Sequence, residues 1–262
     1  ISGTLTRLKE RVSEGLITTR WKMVCEPSPN EQIKIIEHAG FGAPTGIIYP
    51  REAESTDSFP IVIDVVGDVI TLTDCVIDKV MVAGQSQEGE RSKIRWQVEG
   101  WAVTEAHAAA GTFTCTTPYT QAPNYVFHES ALTIGGTSFT PNKWQWTIEN
   151  DLAVTFNNSQ TPTSICPQDS RVMFASDVPY TATEIALLTG AQGAITGTAI
   201  VNTLARDTFA TIFTAPFAVS PLIHPGVKGK TEIRLPLLYH CFGELDGGSL
   251  VVPELTVSID NT

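Results

Sequence analysis

The chain has 262 residues, of which 42% are hydrophobic and 17% are charged, and its formal net charge is −11. The hydrophobic share is large enough to bury a core, which excludes global disorder, and the length suits one large domain or two ordinary ones. The negative charge disfavours a protein that grips nucleic acid, because phosphate binding depends on Lys and Arg. The low charged share favours a protein that hides much of its surface against partners.

The five cysteines are odd in number and widely spaced, and no two form a Cys-x-x-Cys pair. They match neither a disulfide framework nor a zinc site, so we expect buried free thiols in a reducing compartment. The apolar runs are too short for a membrane span, and we predict none. The chain starts at Ile1 rather than Met. We therefore expect an N-terminal piece that was removed by processing or lies outside this sequence.

The N-terminal part combines a charged segment, one strand and one helix. Residues 4–12 suit an arm or a short helix, and residues 17–24 suit a strand. A helix is predicted from Glu31, because Pro29 precedes it and an acidic side chain suits the positive end of a helix. Gly40 is expected to end this helix.

Strands dominate the rest of the chain. They are predicted over 60–66, 69–82, 93–102, 131–134, 139–150, 171–175, 194–202, 208–213, 230–241 and 250–259. Segment 69–82 is either a strand pair or one long strand bent near Asp74. Polar loops are predicted at 85–91 and 157–170, and long loops in compact proteins are usually functional.

Two short segments read alike, one beginning at Lys93 and the other at Lys143. They are KIRWQVEG and KWQWTIEN, and they share a Lys, a Trp and a Glu at matching places. Each alternates strictly between polar and apolar side chains, as a half-buried antiparallel strand does. The Trp residues belong to the face expected to be buried, and Glu99 and Glu149 belong to the opposite face. A repeated half-buried strand indicates two related β units, which favours a building block over an enzyme.

A second pattern also occurs twice: a strand, a proline turn, a short helix and a glycine stop. Its later copy has a turn over 176–181 and apolar helix positions within 185–188. Together the two repeats favour an internal duplication. The Ala/Thr/Pro-rich segment 106–123 breaks the strand pattern, so we predict a first β domain over 1–112 and a second over 113–262. Truncation of the first domain at its N-terminus is one explanation that this prediction includes.

No pattern of catalytic, cofactor-binding or metal-binding residues emerges, so we predict that the protein is not an enzyme and has no cofactor. The run after Gly84 is similar to a nucleophile elbow, but its second glycine comes one residue late and its flanks are predicted strands. The five histidines are scattered. Four aspartates recur nearby, but without the glycine and glutamate of a calcium loop. They are Asp64, Asp68, Asp74 and Asp78.

Three segments carry a recognisable order: Ala131–Thr137 is a small-residue strand, Trp144–Asn150 is a strand that ends in Glu-Asn, and Asp169–Val172 follows a long loop and leads to a short helix. This order resembles that of the tail tube proteins of long-tailed bacteriophages. Val69–Val80, with the strand that starts at Lys93, is similar to the matching hairpin of a first copy. The chain departs from a simple duplication, since the helix precedes the hairpin strands in the first half and follows them in the second.

The resemblance implies a mainly β fold of two packed antiparallel β-sandwich or barrel units of tail-tube type, each with a short flanking α-helix. It implies a virion structural protein that self-assembles into stacked rings, which form the hollow phage tail tube through which genomic DNA is delivered. The rings would be trimeric if each chain holds two tube domains. The implied partners are further copies of the chain, the tape measure protein and tail-end proteins. DNA would pass without specific binding. The protein would lie in the virion tail after assembly in the bacterial cytoplasm.

The candidate residues for the lumen and for assembly lie on the outward strand faces and in the two polar loops. They are Glu88, Glu90, Glu99, Glu149, Asn157 and Asn158. An acidic lumen would repel phosphate and let DNA slide. Two alternatives remain at this point. One is another virion β protein, such as a capsid decoration or a different tail component. The other is a carbohydrate-binding β-sandwich, which would need exposed aromatic side chains.

Overall fold

The computed structural model of the chain describes residues 19–51, 57–65, 68–86, 93–109, 124–179, 197–220, 234–246 and 249–261. The elements in chain order are β1 (Thr19–Cys25), α1 (Pro29–His38), β2 (Ile48–Pro50), β3 (Phe59–Val65), β4 (Asp68–Gln85), β5 (Arg95–Ala102), β6 (Thr104–Ala109), a 3-10 turn (Phe127–Glu129), β7 (Ser130–Ile134), β8 (Thr137–Phe139), β9 (Lys143–Glu149), β10 (Leu152–Thr155), β11 (Ser164–Pro167), β12 (Arg171–Pro179), β13 (Thr198–Arg206), β14 (Phe209–Val219), β15 (Arg234–Cys241), β16 (Glu244–Asp246), β17 (Ser249–Val252) and β18 (Thr256–Asp260). The protein is therefore mainly β, as predicted.

Most strands belong to one large antiparallel sheet that has two layers. The first layer has the strand order β1–β5–β4–β9–β12–β15, and the second has the order β8–β7–β13–β14–β18–β2. The layers join where Ala218 and Val219 of β14 pair with Cys241 and His240 of β15. In the described part of the chain no pairing connects β1 with β8, the two ends of this path, so the sheet does not close into a barrel.

Aromatic side chains hold the two layers face to face. The ring of Phe213 in β14 lies 6.1 Å from that of Trp96 in β5 and 5.9 Å from that of Trp146 in β9. Phe174 of β12 lies 4.7 Å from Trp146. All four side chains are fully buried. Aromatic pairs at these separations stabilise a core beyond the area that they bury, so this cluster is the centre of the fold.

The sheet and the core both continue across the division predicted between 1–112 and 113–262. β4 from the first segment pairs with β9 from the second, and Val82 lies opposite Trp146. One hydrophobic cluster extends from Ile35 to Ile259. The predicted junction itself lies largely within 110–123, outside the described residues. Strands from the two predicted segments therefore share one sheet and one core.

Helix α1 forms where the sequence predicts it. Pro29 occupies its first turn, and the backbone N–H of Ser28 donates to the Glu31 carboxylate at 2.7 Å, which satisfies a group left unpaired at the helix start. Gly40, with φ +82°, follows the helix end in a conformation that favours glycine. The buried Ile36 and its neighbours pack this helix against β14 and β18.

Strand β4 is one long bent strand, which decides between the two predicted alternatives. Asp74, with φ +49°, marks the bend. The half before the bend pairs with β3 and β6, and the half after it pairs with β5 and β9. We call β3, β6 and the first half of β4 the wing. A separate two-stranded hairpin, β10–β11, lies between β9 and β12.

Several predicted boundaries differ from the structure. Residues 139–150 are two strands, because 140–142 leave the β conformation, and 250–259 are likewise divided by 253–255. The turn predicted at 176–181 is strand as far as Pro179, since β12 pairs with β9 up to Asp177 and with β15 up to Pro179. The predicted loop 157–170 contains β11. The second predicted helix and segment 4–12 lie outside the described residues.

Candidate assembly surfaces

The outward face of the first layer carries a row of alternating charges across five strands. Lys22, Glu99, Lys79, Glu149 and Arg171 lie opposite one another in that order. The Lys22 ammonium lies 3.0 Å from the Glu99 carboxylate, and the Lys79 ammonium lies 2.7 Å from that of Glu149. Arg171 approaches Glu149 at 3.9 Å. Cross-strand pairs of opposite charge favour this register, and we call the row the charge ladder.

This ladder gives the sequence repeat a structural meaning. The two similar segments flank β4 on its two sides, so Trp96 and Trp146 both lie opposite Val82. In the same way, Glu99 and Glu149 both lie opposite Lys79. The repeated Trp belongs to the buried face and the repeated Glu to the outward face, as the alternation predicts. The sequence did not reveal that Lys22, Lys79 and Arg171 neutralise these two carboxylates. Alternation of polar and apolar residues indicates which face of a strand a side chain occupies, but not which strands lie beside it.

The other predicted site residues lie apart from the ladder. Glu88 and Glu90 fall in 87–92, outside the described residues. Asn157 and Asn158 are exposed near the tip of the β10–β11 hairpin. The backbone N–H of Asn157 donates to the Thr163 hydroxyl at 3.2 Å, and Asn158 has φ +53°. Asn tolerates this left-handed conformation, so Asn158 suits the turn, and Asn157 contributes a backbone hydrogen bond to it.

One edge of the first layer is open. β1 pairs with β5 on one side, and its other side has no strand partner among the described residues. On this strand Met23 is 43% exposed and Val24 is 60% exposed. An exposed edge strand with apolar side chains is a template for pairing with another chain. The sequence predicted the strand, but nothing in it indicated that this strand would be the edge.

An apolar groove adjoins this edge. It has a volume of about 850 Å³ and lies between β1, α1 and β3. Trp21 and Phe59 contact edge to face within it, with ring centroids 5.8 Å apart. Val62 and Ile63 are exposed on its β3 side. Apolar exposure is therefore concentrated where the sheet is open, which is typical of an interaction surface.

The first layer has two distinct ends. β9 runs from Lys143 at one end to Glu149 at the other, about 20 Å away at the rise of a strand. The wing and the β10–β11 hairpin both extend from the Glu149 end, where the backbone N–H of Asn150 donates to the carbonyl of Asp78 at 2.8 Å. Gln85, which begins the predicted loop 85–91, lies opposite Lys143. Gln85 and the β10–β11 hairpin are thus at opposite ends of the layer.

A buried arginine organises the Glu149 end. The Arg51 side chain is fully buried, and its guanidinium donates to the carbonyls of Ala39 and Gly40 at the end of α1. It also donates to the Asn150 side chain after β9. Its ionic partner is the Glu254 carboxylate, at 3.4 Å. Burial lowers the pKa of Arg51, and Glu254 opposes that shift.

The Arg51 contacts continue through one hydroxyl group. The Ser170 hydroxyl accepts from Arg51 Nη2 at 3.0 Å and donates to Glu254. Segments that precede β3, β10, β12 and β18 therefore meet at a single cation. We call this arrangement the Arg51 hub. It links the end of α1 to the residues that directly precede the hairpin, β12 and β18.

The cysteines differ in their surroundings. Cys75 and Cys241 are buried and free, as expected, whereas Cys166 is exposed, which corrects the prediction for that residue. Burial raises the pKa of the Cys241 thiol to about 12, and the nearby Glu254 carboxylate adds to this shift. Cys115 lies outside the described residues.

Within the described ranges, no group of three or more His, Cys, Asp or Glu side chains is arranged to hold a metal ion. The described helices include none that is long and apolar enough to cross a membrane. No protein-family model matches the chain, and comparison with the curated proteins gives no match either.

Proposed function

We propose that this protein is a virion structural subunit without enzymatic activity that self-assembles into the rings of a phage tail tube. Stacked rings would form the hollow tube through which genomic DNA reaches the host. The observations that agree with this proposal are the two-layered antiparallel sheet, the flanking helix α1 and the elements that extend from one end of the first layer. The tube would bind the tape measure protein and tail-end proteins in the virion, after assembly in the bacterial cytoplasm.

The open edge at β1 carries the proposal. A monomer with a seven-residue edge strand and exposed apolar side chains is at risk of aggregation. In a ring, the same edge would be a joint between neighbouring sheets. The groove beside β1 would then accept apolar side chains of the neighbour, while backbone groups of the two strands pair. Edge joints of this kind repeat head to tail, so they build rings or filaments.

The charge ladder modifies the proposed role of Glu99 and Glu149. If the outward face of the first layer lines the tube, these carboxylates are balanced by Lys22, Lys79 and Arg171. A balanced wall would neither grip nor strongly repel DNA, which suits a passage that DNA must cross without binding. The repulsive carboxylates would then come from other positions in this acidic chain, with Glu88 and Glu90 of the polar loop among the candidates.

Negative-stain electron microscopy of the purified protein tests the proposal. We expect rings or hollow tubes, and ring symmetry would decide between trimeric and hexameric rings. Val24→Lys should abolish rings, because it places a charge on the open edge. Ala131→Lys adds the same charge at an exposed position of β7 and should leave assembly intact. Compact monomers at every concentration and salt tested would overturn the proposal, as would normal rings from the Val24 variant.

One observation favours a second candidate, carbohydrate binding. Phe217 and Phe242 are both exposed, and their rings form an edge-to-face pair with centroids 6.5 Å apart. Exposed aromatic faces can stack on sugars. Glycan-array binding that is lost in Phe242→Ala, from a protein that forms no rings, would favour this candidate over the tail tube.

A further inference from the structure

The Glu149 end of the first layer is acidic. An open cavity of about 190 Å³ lies there, and its charged lining residues are Asp78, Lys79, Glu149, Asp151, Asp169 and Arg171. Glu149 pairs with both cations, at 2.7 and 3.9 Å. The three aspartates form no salt bridge with any described residue. Among the described residues, the carboxylates of Asp78 and Asp169 accept backbone N–H groups, from Leu152 at 3.3 Å and Ser170 at 2.8 Å. We call this set the acidic end.

The opposite end of the same layer is basic. Lys93, Arg95 and Lys143 lie there on the outward face, with side chains 56%, 72% and 60% exposed. Their acidic partners are more buried, since Glu26 is 27% and Asp177 is 22% exposed. Lys93 pairs closely with Glu26, at 2.6 Å, whereas the contacts of Lys143 with Asp177 and of Arg95 with Glu26 are long, at 4.0 and 3.8 Å. Positive charge therefore points outward at this end, and we call this set the basic end.

We propose that copies of this chain stack end to end along the strand direction of the first layer, with the basic end of one copy against the acidic end of the next. This inference rests on the proposed self-assembly, and it adds the axis and the residues of the contact between rings. Three arguments support it. The two ends are about 20 Å apart on one layer, their exposed charges are opposite, and the wing and the β10–β11 hairpin extend beyond the acidic end.

The geometry of this contact predicts its behaviour. A basic patch on one copy and an acidic patch on the next form a heterologous contact that does not close on itself, so it generates a filament. Complementary charge sets the register and speeds association, and added salt weakens it. The acidic end is thereby distinguished from a cation site, for which the described residues lack a suitable arrangement.

The test is a charge swap. Asp151→Lys with Asp169→Lys makes both ends positive, and Lys93→Glu with Lys143→Glu makes both ends negative. For each double variant, the protein concentration needed for tube elongation should rise by about tenfold or more. Rings should still form. Mixing the two variants should restore tubes, because opposite ends then alternate. The chain with all four changes should elongate on its own, since its polarity is merely reversed.

Control variants and outcomes separate the two proposals. Asp151→Asn with Asp169→Asn, which suits the positive φ of Asp151, should weaken stacking less than the Lys pair does. Tubes of normal length from either reversed variant would overturn end-to-end stacking and leave ring formation standing. If the protein forms solid filaments that are lost in the charge-reversed variants and regained when these are mixed, end-to-end stacking is supported and the hollow tube is refuted. If only monomers form under all conditions, both proposals are refuted.

Discussion

Replacing Arg51 by Met is the most informative single change to the fold. Met keeps an unbranched apolar stem but removes the guanidinium, so the carbonyls of Ala39 and Gly40 and the side chain of Asn150 lose their donor. The Glu254 carboxylate also loses its only ionic partner among the described residues. Because four chain segments meet at this cation, the loss affects the whole Glu149 end rather than one loop.

The magnitude follows from burial. Arg51 is fully buried and the Glu254 side chain is 15% exposed, so little water reaches either group. Removing one member of a buried ion pair costs about 3–5 kcal/mol, because the remaining charge is left without compensation. We therefore expect Arg51→Met to lower the free energy of unfolding by about 3–5 kcal/mol. Arg51→Lys should cost less, since it keeps the charge but loses the planar fork that reaches several acceptors.

Urea unfolding followed by tryptophan fluorescence measures the effect, because buried Trp96 and Trp146 report on the core. The measurement is made at several protein concentrations, so that self-association does not enter the free energy. Arg171→Met is the matched control: Arg171 is 59% exposed and 3.9 Å from Glu149, and its loss should cost at most about 1 kcal/mol. If Arg51→Met is as mild as this control, the hub does not stabilise the fold as argued.

Three further predictions concern the core and the thiols. Gly100→Ala should lower the free energy of unfolding by about 1–3 kcal/mol, because its Cβ would lie 2.2 Å from the Val76 carbonyl oxygen and 2.5 Å from the Trp21 ring; an unchanged urea midpoint would contradict this. The folded-state pKa of Cys241 is raised from 9.0 to about 12, so its contribution to stability is complete below pH 9 and is lost as the pH rises from 9 towards 12. Cys241→Ala should flatten this alkaline decline in urea titrations, and an unaltered slope would argue against it. In native protein, a maleimide should label the exposed Cys166 well before Cys241, as peptide mass spectrometry would show, and equal labelling rates would refute the burial argument.

The alternation of polar and apolar residues predicted which segments are strands and which side chains face outward. It did not predict which strands lie next to one another in the sheet. It identified β5 and β9 as half-buried strands and assigned Glu99 and Glu149 to their outward faces. It could not indicate that both strands flank β4, because pairing depends on contacts between residues far apart in the chain. The two-domain prediction was drawn from this repeat together with the strand–turn–helix repeat and the Ala/Thr/Pro-rich segment 106–123, and it stays a prediction. A repeated strand can arise from two units, or from two neighbours of one central strand.

The missed functional features share a physical cause. Arg51 follows a short strand and has no periodic pattern around it, so the sequence offers no signal that it is buried. Its acceptors come from a helix end and from loops brought together only by folding. The open edge at β1 is likewise a property of the assembled sheet, since β1 and the central β9 are both seven-residue strands. Edge position is decided by which strands remain without a partner after the layers have formed.

Local sequence determined what depends on neighbouring residues. This includes the alternating strands, the start of α1 at Ser28 and Pro29 and its end before Gly40, since turns, caps and strand faces follow from short-range sterics and hydrogen bonds. Only the tertiary structure decided the order of strands, the charge ladder, the Arg51 hub and the opposite charges at the two ends of the first layer. Each of these depends on the register between segments separated by tens to hundreds of residues, and that register is selected by burial of the common aromatic core.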